Sequence, residues 1–288
     1  MILISGATGQ LGQEVVKHLL SQGAKGRFAV LARDANKAKP YSDQGIEVRI
    51  ADFDAPDTLP AAFAGIETFL FISTMSQDRG PQQIKVVDAA RAAGVKHVVY
   101  TGLAIHDIKT SGVRDLMSSH FETEDHIRAS GMAWTFLRNT MYAEAIAQIA
   151  GPNALTDGIF LPGGDGRVPY ALRAEMGEAT ANLLLQGGHA GKTYNITANQ
   201  SWSYGDVAAA LSRQTGRSLG YQNIPEDALR EGMKAAGLPD FLIWLTLGTV
   251  QDIRNGQYEI ESRDLQTLLG RAPKSVDEIV KTVFALPG

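Results

Sequence analysis

The sequence predicts an α/β protein built on a doubly wound parallel sheet. Three observations lead there. Short runs rich in β-branched and aromatic residues alternate with helical stretches through the first half of the chain. Most of these runs are apolar throughout, the pattern of strands covered on both faces. The first run turns directly into a glycine-spaced loop that opens a helix.

The expected strands follow in order: Ile2–Ser5, Phe28–Ala32, Val48–Ala51, Thr68–Ser73, His97–Thr101 and Trp134–Arg138. Between the first two, Gly12–Gln22 places Val15, Val16, Leu19 and Leu20 on one helical stripe. Gln82–Ala93 forms another helix and ends at Gly94, a suitable residue for the left-handed position after a helix. After about residue 140 the alternation fades. Gly151-Pro152-Asn153 and Leu161-Pro162-Gly163-Gly164-Asp165-Gly166 read as turns. Glu175–Gln186 is an amphipathic helix and Lys192–Thr197 a strand. From Ser201 onward helices dominate: Ser203–Thr215, Glu226–Gly237, Asp240–Asn255 and Val276–Phe284, with Ser203 and Ser275 as candidate N-caps. The expected division is a dinucleotide-binding domain over 1–140, to which 169–198 returns, and a smaller, mostly helical substrate-side lobe over 141–168 and 199–288.

Composition narrows the function. The chain has 288 residues, enough for a sizeable core, and no cysteine. Disulfides, thiolate metal sites and a cysteine nucleophile are therefore excluded, and no metal is expected. Lys and Arg number 27 against 31 Asp and Glu, a net charge of −4 that leaves no electrostatic footprint for nucleic acid. No apolar run approaches the ~18 residues of a membrane span. Met1-Ile2-Leu3-Ile4-Ser5-Gly6 leaves no room for a basic leader region, so a cytoplasmic protein is expected.

The most informative stretch is Gly6-Ala7-Thr8-Gly9-Gln10-Leu11-Gly12. The first glycine permits a tight strand-to-helix turn. The second lets backbone approach a pyrophosphate, and the third lets the helix pack closely on the sheet. The diphosphate then rests on the helix N-terminus, where free N–H groups and the dipole favour negative charge.

The glycine spacing G-x-x-G-x-x-G resembles the cofactor loop of the short-chain dehydrogenase/reductase superfamily, Rossmann-fold proteins, and most closely its atypical, NmrA-like branch. Further matches run along the chain: Leu31-Ala32-Arg33-Asp34 with Lys37-Ala38, Ala51-Asp52-Phe53, Ala92-Ala93-Gly94-Val95-Lys96-His97 and Tyr100-Thr101-Gly102. They continue with His120-Phe121-Glu122-Thr123-Glu124, Phe136-Leu137-Arg138-Asn139 with Tyr142, and Lys192-Thr193-Tyr194-Asn195. Within the branch the chain is similar to the flavin-free type 2 NADPH:quinone oxidoreductases and triphenylmethane reductases.

At the end of the second strand an acidic residue selects NAD and an arginine accommodates the phosphate of NADP. Arg33 offers a planar fork for phosphate, and Lys37 adds a charge one turn later. Asp34 argues the other way. Strand alternation lets only one of Arg33 and Asp34 face the ribose; the resemblance implies Arg33, and hence NADP(H). The resemblance also implies that Asp52 and Phe53 line the adenine pocket and that Ile72-Ser73-Thr74-Met75 runs along the nicotinamide ribose. It sets Tyr142 at the cleft and Arg167 in a loop facing the cofactor. Leu137, Arg138, Asn139 and Thr140 are expected beside the cofactor because they end the sixth strand on the carboxyl side of the sheet, with Asn139 a candidate partner of the carboxamide or substrate oxygen and Arg138 of a neighbouring acid. Met141, Phe160 and Trp244 are further candidates for an apolar roof over a flat substrate.

One motif is missing. Many short-chain reductases pair a tyrosine with a lysine four residues on, and no tyrosine here has that lysine. His120 and Glu124 take the corresponding spacing, which makes His120 a candidate proton donor, beside Asn139 and Tyr142 as candidates near the chemistry. A quinone is a strong hydride acceptor whose oxygen can take its proton from water, so the absent pair fits that substrate class. The expected function is hydride transfer from NADPH to a quinone or similar conjugated acceptor. The competing reading is an NADP-binding redox sensor of the NmrA type.

Overall fold

The structure is a computed structural model that describes residues 1–76 and 78–286. In chain order the elements of the first half are β1 (Ile2–Ile4), α1 (Gln10–Ser21), β2 (Phe28–Ala32), α2 (Ala35–Ser42), β3 (Glu47–Ile50), α3 (Leu59–Phe63), β4 (Thr68–Ile72), α4 (Arg79–Ala92), β5 (His97–Leu103), α5 (Arg114–Met117), α6 (Ser119–Ala129) and β6 (Ala133–Asn139). There follow α7 (Ala145–Ala150), β7 (Ile159–Leu161), β8 (Arg167–Val168), α8 (Arg173–Gln186), β9 (Lys192–Ile196), β10 (Trp202–Ser203), α9 (Tyr204–Thr215), β11 (Tyr221–Asn223), α10 (Glu226–Ala235), α11 (Asp240–Arg254), α12 (Asp264–Leu269) and α13 (Val276–Val283).

The chain forms two compact units. The first comprises 1–103, 116–139 and 173–194. Its seven-stranded sheet has the order β3-β2-β1-β4-β5-β6-β9, and β1 through β6 pair in parallel. The order reverses at β1 and β4, the point where open α/β sheets bind ligands. This is a Rossmann-like doubly wound fold. All five residues of β2 are buried, as expected of a strand covered on both faces. The edge strand β3 has no fully buried residue, which is why its Arg49 and Glu47 pair at 2.7 Å. Phe53, Phe63, Phe69, Phe71, Tyr100 and Phe136 belong to one core cluster of this unit. On α1, Leu11, Val15, Val16 and Leu19 are buried. Helix α8 meets α1 at Gly177, where an added Cβ would lie 2.5 Å from that of Glu14.

The second unit comprises 104–115, 140–172 and 195–288. It holds α9–α13 and two short strand pairs, β8 with β10 antiparallel and β7 with β11 parallel. These strands of two or three residues carry too little pattern to be read in sequence. Ser203 and Ser275 cap α9 and α13 in full capping boxes, with Asp206 and Glu278 as the reciprocal partners. The segment 104–115, which sequence alone groups with the first domain, is held in the second unit by a buried carboxylate. Asp252 accepts from Ser111 Oγ at 2.5 Å and from Gly112 N at 2.7 Å. Among the described residues no helix is long and apolar enough to cross a membrane, and no group of three or more His, Asp or Glu could hold a metal ion.

Candidate dinucleotide site

The strand-to-helix turn is built as its glycines require. Gly6 has φ +63°, the left-handed region where a side chain is strained, and an added Cβ would press on Ile72 at 3.1 Å. Gly12 lies against the turn itself; a Cβ there would sit 2.2 Å from the Gly6 carbonyl oxygen. Gly9 is the N-cap of α1 and has ordinary extended backbone (φ −86°, ψ 166°). Its carbonyl receives the first intrahelical bond, from Gln13 N at 2.9 Å. The N–H groups of Gln10, Leu11 and Gly12 therefore precede the helical ladder, and Gly9 offers no side chain to cap them. Gly6, Gly9 and Gln10 are exposed, whereas Ala7 and Leu11 are buried. Such a turn fits a diphosphate: its first N–H groups lie outside the helical ladder, negative charge is favoured, and no side chain stands at Gly9.

Two side chains fasten the loop. Gln13 Nε2 donates to the Thr8 carbonyl at 3.0 Å, and the hydroxyl of Tyr41, on α2, donates to the Ala7 carbonyl at 2.6 Å. Thr8, Gln13, Lys37 and Tyr41 line one hollow between α1 and α2. Tyr41 was not legible as a loop partner; it lies 34 positions from Ala7 and belongs to no motif.

Arg33 directly follows β2. It is exposed, and among the described residues it makes no hydrogen bond or ion pair. Asp34 is otherwise engaged. It is the N-cap of α2 and its carboxylate accepts from Asn36 N at 2.8 Å. Lys37 is exposed and equally without a partner, while Lys39 is paired with Asp43 at 2.7 Å. Two cations thus remain open next to a carboxylate that is already bonded, a donor set suited to phosphate.

The other candidates fall into distinct environments. Asp52 closes its own turn by accepting from Asp54 N at 3.1 Å. Phe53 is buried in the core, edge-on to Phe71 at 5.5 Å, so its ring is committed to packing. Ile72 lies under Gly6. Ser73 N donates to Thr101 Oγ1 at 3.0 Å, Thr74 Oγ1 donates to Gln82 Oε1 at 2.9 Å, and Met75 is exposed. Leu137 is core. Arg138 holds the fully buried Glu124 through two bonds, Nε at 3.0 Å and Nη2 at 2.6 Å. Asn139 is buried, yet its amide makes no hydrogen bond among the described residues. Thr140 Oγ1 is buried and has no hydrogen-bond partner among the described residues. Tyr142 is half-buried, in a backbone bridge with Ala171. Arg167 is drawn to α9, bonding Ser201 O and Asp206 at 2.9 Å each. Phe160 and Trp244 are exposed, the latter beside Phe241.

His120 and Glu124 do not pair with each other. His120 is buried, with Nδ1 2.9 Å from the Tyr100 hydroxyl. Burial first, and the cation of Arg79 second, hold its pKa well below the ordinary histidine value. Burial likewise pushes the Tyr100 hydroxyl up to about 12. Arg79 is buried and, among the described residues, pairs with no carboxylate; its bonds go to Thr74 O, Leu116 O, Ser119 Oγ and Met117 Sδ.

The NmrA-like family model matches residues 1–276. The chain belongs to the NmrA-like family. A relative within it, quinone oxidoreductase 2 of Escherichia coli (strain K12), is 35% identical over 286 residues, 99% of each chain. Among solved structures, that of NADPH-dependent quinone oxidoreductase QOR2 from Escherichia coli complexed with NADPH matches with TM-score 0.91 and 36% identity, covering 99% of this chain and 100% of that one. The Citrobacter sp. triphenylmethane reductase complexed with NADP(H) matches with TM-score 0.92 and 35% identity, covering 98% and 100%. The NmrA-like assignment thus spans both units.

Proposed function

We propose that the protein is a cytoplasmic, NADPH-dependent oxidoreductase that passes a hydride to a quinone or similarly conjugated acceptor without flavin. The observation that carries this reading is the open cation pair Arg33 and Lys37 beside a glycine turn with free N–H groups. NADPH-dependent reductases alike along nearly their whole length support the same reading. In it, Gln10, Leu11 and Gly12 N–H groups hold the diphosphate. Arg33 and Lys37 hold the 2′-phosphate, and Asp34 keeps the helix behind them in place. Asp52 and the Phe53 backbone border the adenine. Ser73, Thr74 and the unpaired amide of Asn139 serve the nicotinamide end, with Thr140 beside them. The first unit is then the dinucleotide domain and the second, with Tyr142, the acceptor-side lobe. Bound NADPH supplies the hydride. No tyrosine–lysine pair supplies the proton, so the acceptor oxygen takes it from water.

The test is the loss of the NADPH absorbance band on adding a simple benzoquinone, corrected for the uncatalysed rate. Turnover with NADPH well above that with NADH is expected. Tight NADPH binding without turnover on quinones or cationic dyes would leave a dinucleotide sensor.

A further inference from the structure

The turn between β1 and α1 is uneven in its hydrogen bonding. Its four consecutive carbonyls, from Gly6 to Gly9, all have donors. Gly6 O accepts from Gly9 N at 2.9 Å and Ala7 O from the Tyr41 hydroxyl at 2.6 Å. Thr8 O accepts from Gln13 Nε2 at 3.0 Å and Gly9 O from Gln13 N at 2.9 Å. The N–H groups of Thr8, Gln10, Leu11 and Gly12, by contrast, donate to nothing among the described residues. Acceptors are occupied and donors stay open, the polarity that an anion needs.

Two of those four donors are side chains, and they are not equivalent. Gln13 is exposed and Thr8 half-buried, so that bond forms within reach of water. Ala7 has no exposed surface, so its carbonyl meets the Tyr41 hydroxyl and not water. A buried carbonyl left without a donor is unfavourable. Burial also raises the Tyr41 pKa, so the phenol keeps its hydrogen through the neutral range.

The bond fixes more than one atom. A peptide unit is planar and trans, so the carbonyl of Ala7 and the N–H of Thr8 point in opposite directions. Among the described residues the bond from Tyr41 is the only hydrogen bond on that unit. Rotation of the unit would set an acceptor where the turn now has a donor, and an acceptor repels phosphate. Tyr41 reaches the turn from α2, one helical turn beyond Lys37, and both side chains line the hollow between α1 and α2.

We propose that Tyr41 is a positioning residue for dinucleotide binding: its hydroxyl holds the Ala7–Thr8 peptide with the carbonyl toward α2, so that the turn meets the diphosphate with donors alone. This rests on the dinucleotide reading above and concerns affinity, not hydride transfer. Helix α2 then has two separable tasks, Lys37 toward the 2′-phosphate and Tyr41 toward the diphosphate through the turn.

Four ligands separate the tasks in titration calorimetry: NADPH, NADH, ADP and 2′-AMP. The first three carry a 5′-diphosphate; 2′-AMP carries the 2′-phosphate alone. In Tyr41→Phe, NADPH, NADH and ADP should weaken by one common factor of about 3- to 12-fold, the worth of one neutral hydrogen bond. Binding of 2′-AMP should stay within about twofold of wild type. This is the opposite of the pattern expected from loss of Arg33, where only ligands with a 2′-phosphate suffer. A second readout needs no ligand. Amide hydrogen exchange of the free protein should quicken in Tyr41→Phe over residues 6–12 and stay at wild-type rates in β4 and β5.

Unchanged affinity for all four ligands overturns the proposal. Weakening of NADPH but not NADH overturns it and moves Tyr41 to the 2′-phosphate. Weakening of 2′-AMP in step with the rest overturns it and puts the hydroxyl on the adenosine itself. Exchange that quickens throughout the sheet makes Tyr41 a folding residue and equally overturns it. A wild type that binds all four ligands as expected and reduces no quinone or dye overturns the functional reading and leaves this inference standing. A wild type that binds none of them overturns both.

Discussion

Arg33 and Asp34 are neighbours with opposite assignments, and the local bonding separates them. Asp34 is tied to the start of α2 while Arg33 is left open. In Arg33→Ala, a charge-assisted contact worth ~1.5–3 kcal/mol should be lost, weakening NADPH by roughly 10- to 150-fold. NADH titration of the same variant should barely change; equal weakening of both would make Arg33 structural. The glycines allow a second separation of binding from folding. Gly9 has unstrained backbone, and its nearest obstacle to a Cβ is the Gly6 carbonyl at 3.2 Å. Gly9→Val should therefore fold and lose dinucleotide binding. Gly12→Ala meets backbone at 2.2 Å and must displace the turn, so both circular dichroism melting and binding should suffer.

Helix α6 is joined to the sheet by Glu124, fully buried, and Arg138 of β6. Removing one partner of such a pair leaves an uncompensated charge, costing about 3–5 kcal/mol. Arg138→Met, which strands the fully buried carboxylate, should show this in denaturant unfolding, and the double variant Glu124→Leu/Arg138→Met should recover much of it. The capping box of α13 gives a pH signature. Bonds from Ser275 backbone and side chain lead the causes that lower the Glu278 pKa to about 2. A depressed folded-state value means the contribution is present above the unfolded carboxyl range and is lost as pH falls toward 2. Glu278→Gln should flatten stability against pH in that window. Elements of this size were legible where period and punctuation agreed: β2 was read at Phe28–Ala32, and α4 was read to stop before Gly94, which has φ +85°. What escaped was decided at a distance. Nothing local told that Asp206 would draw Arg167 into the capping box of α9, that Phe53 would turn into the core, or that Tyr41 would reach back to Ala7.

For the molecule as a whole, a ligand that binds only the folded chain adds about 2.7 kcal/mol at a hundredfold excess over its Kd. NADPH should raise the thermal midpoint by several degrees, and NADH at equal concentration by less. An equal shift from both would contradict selection by the 2′-phosphate. The interleaving of the two units also bears on synthesis. Strand β6 ends at Asn139, but its outer neighbour β9 begins at Lys192, about fifty residues later. Helix α1, finished by Ser21, waits still longer for Gly177 of α8. At ~5–20 residues per second, β6 leaves the ribosome with a bare edge for roughly 3–10 s. In that window the nascent chain has an open template for pairing with its neighbours on a polysome. The yield of native protein should thus depend on translation speed between residues 139 and 192: local acceleration by codon choice should raise it, and a stall there should send product into aggregates.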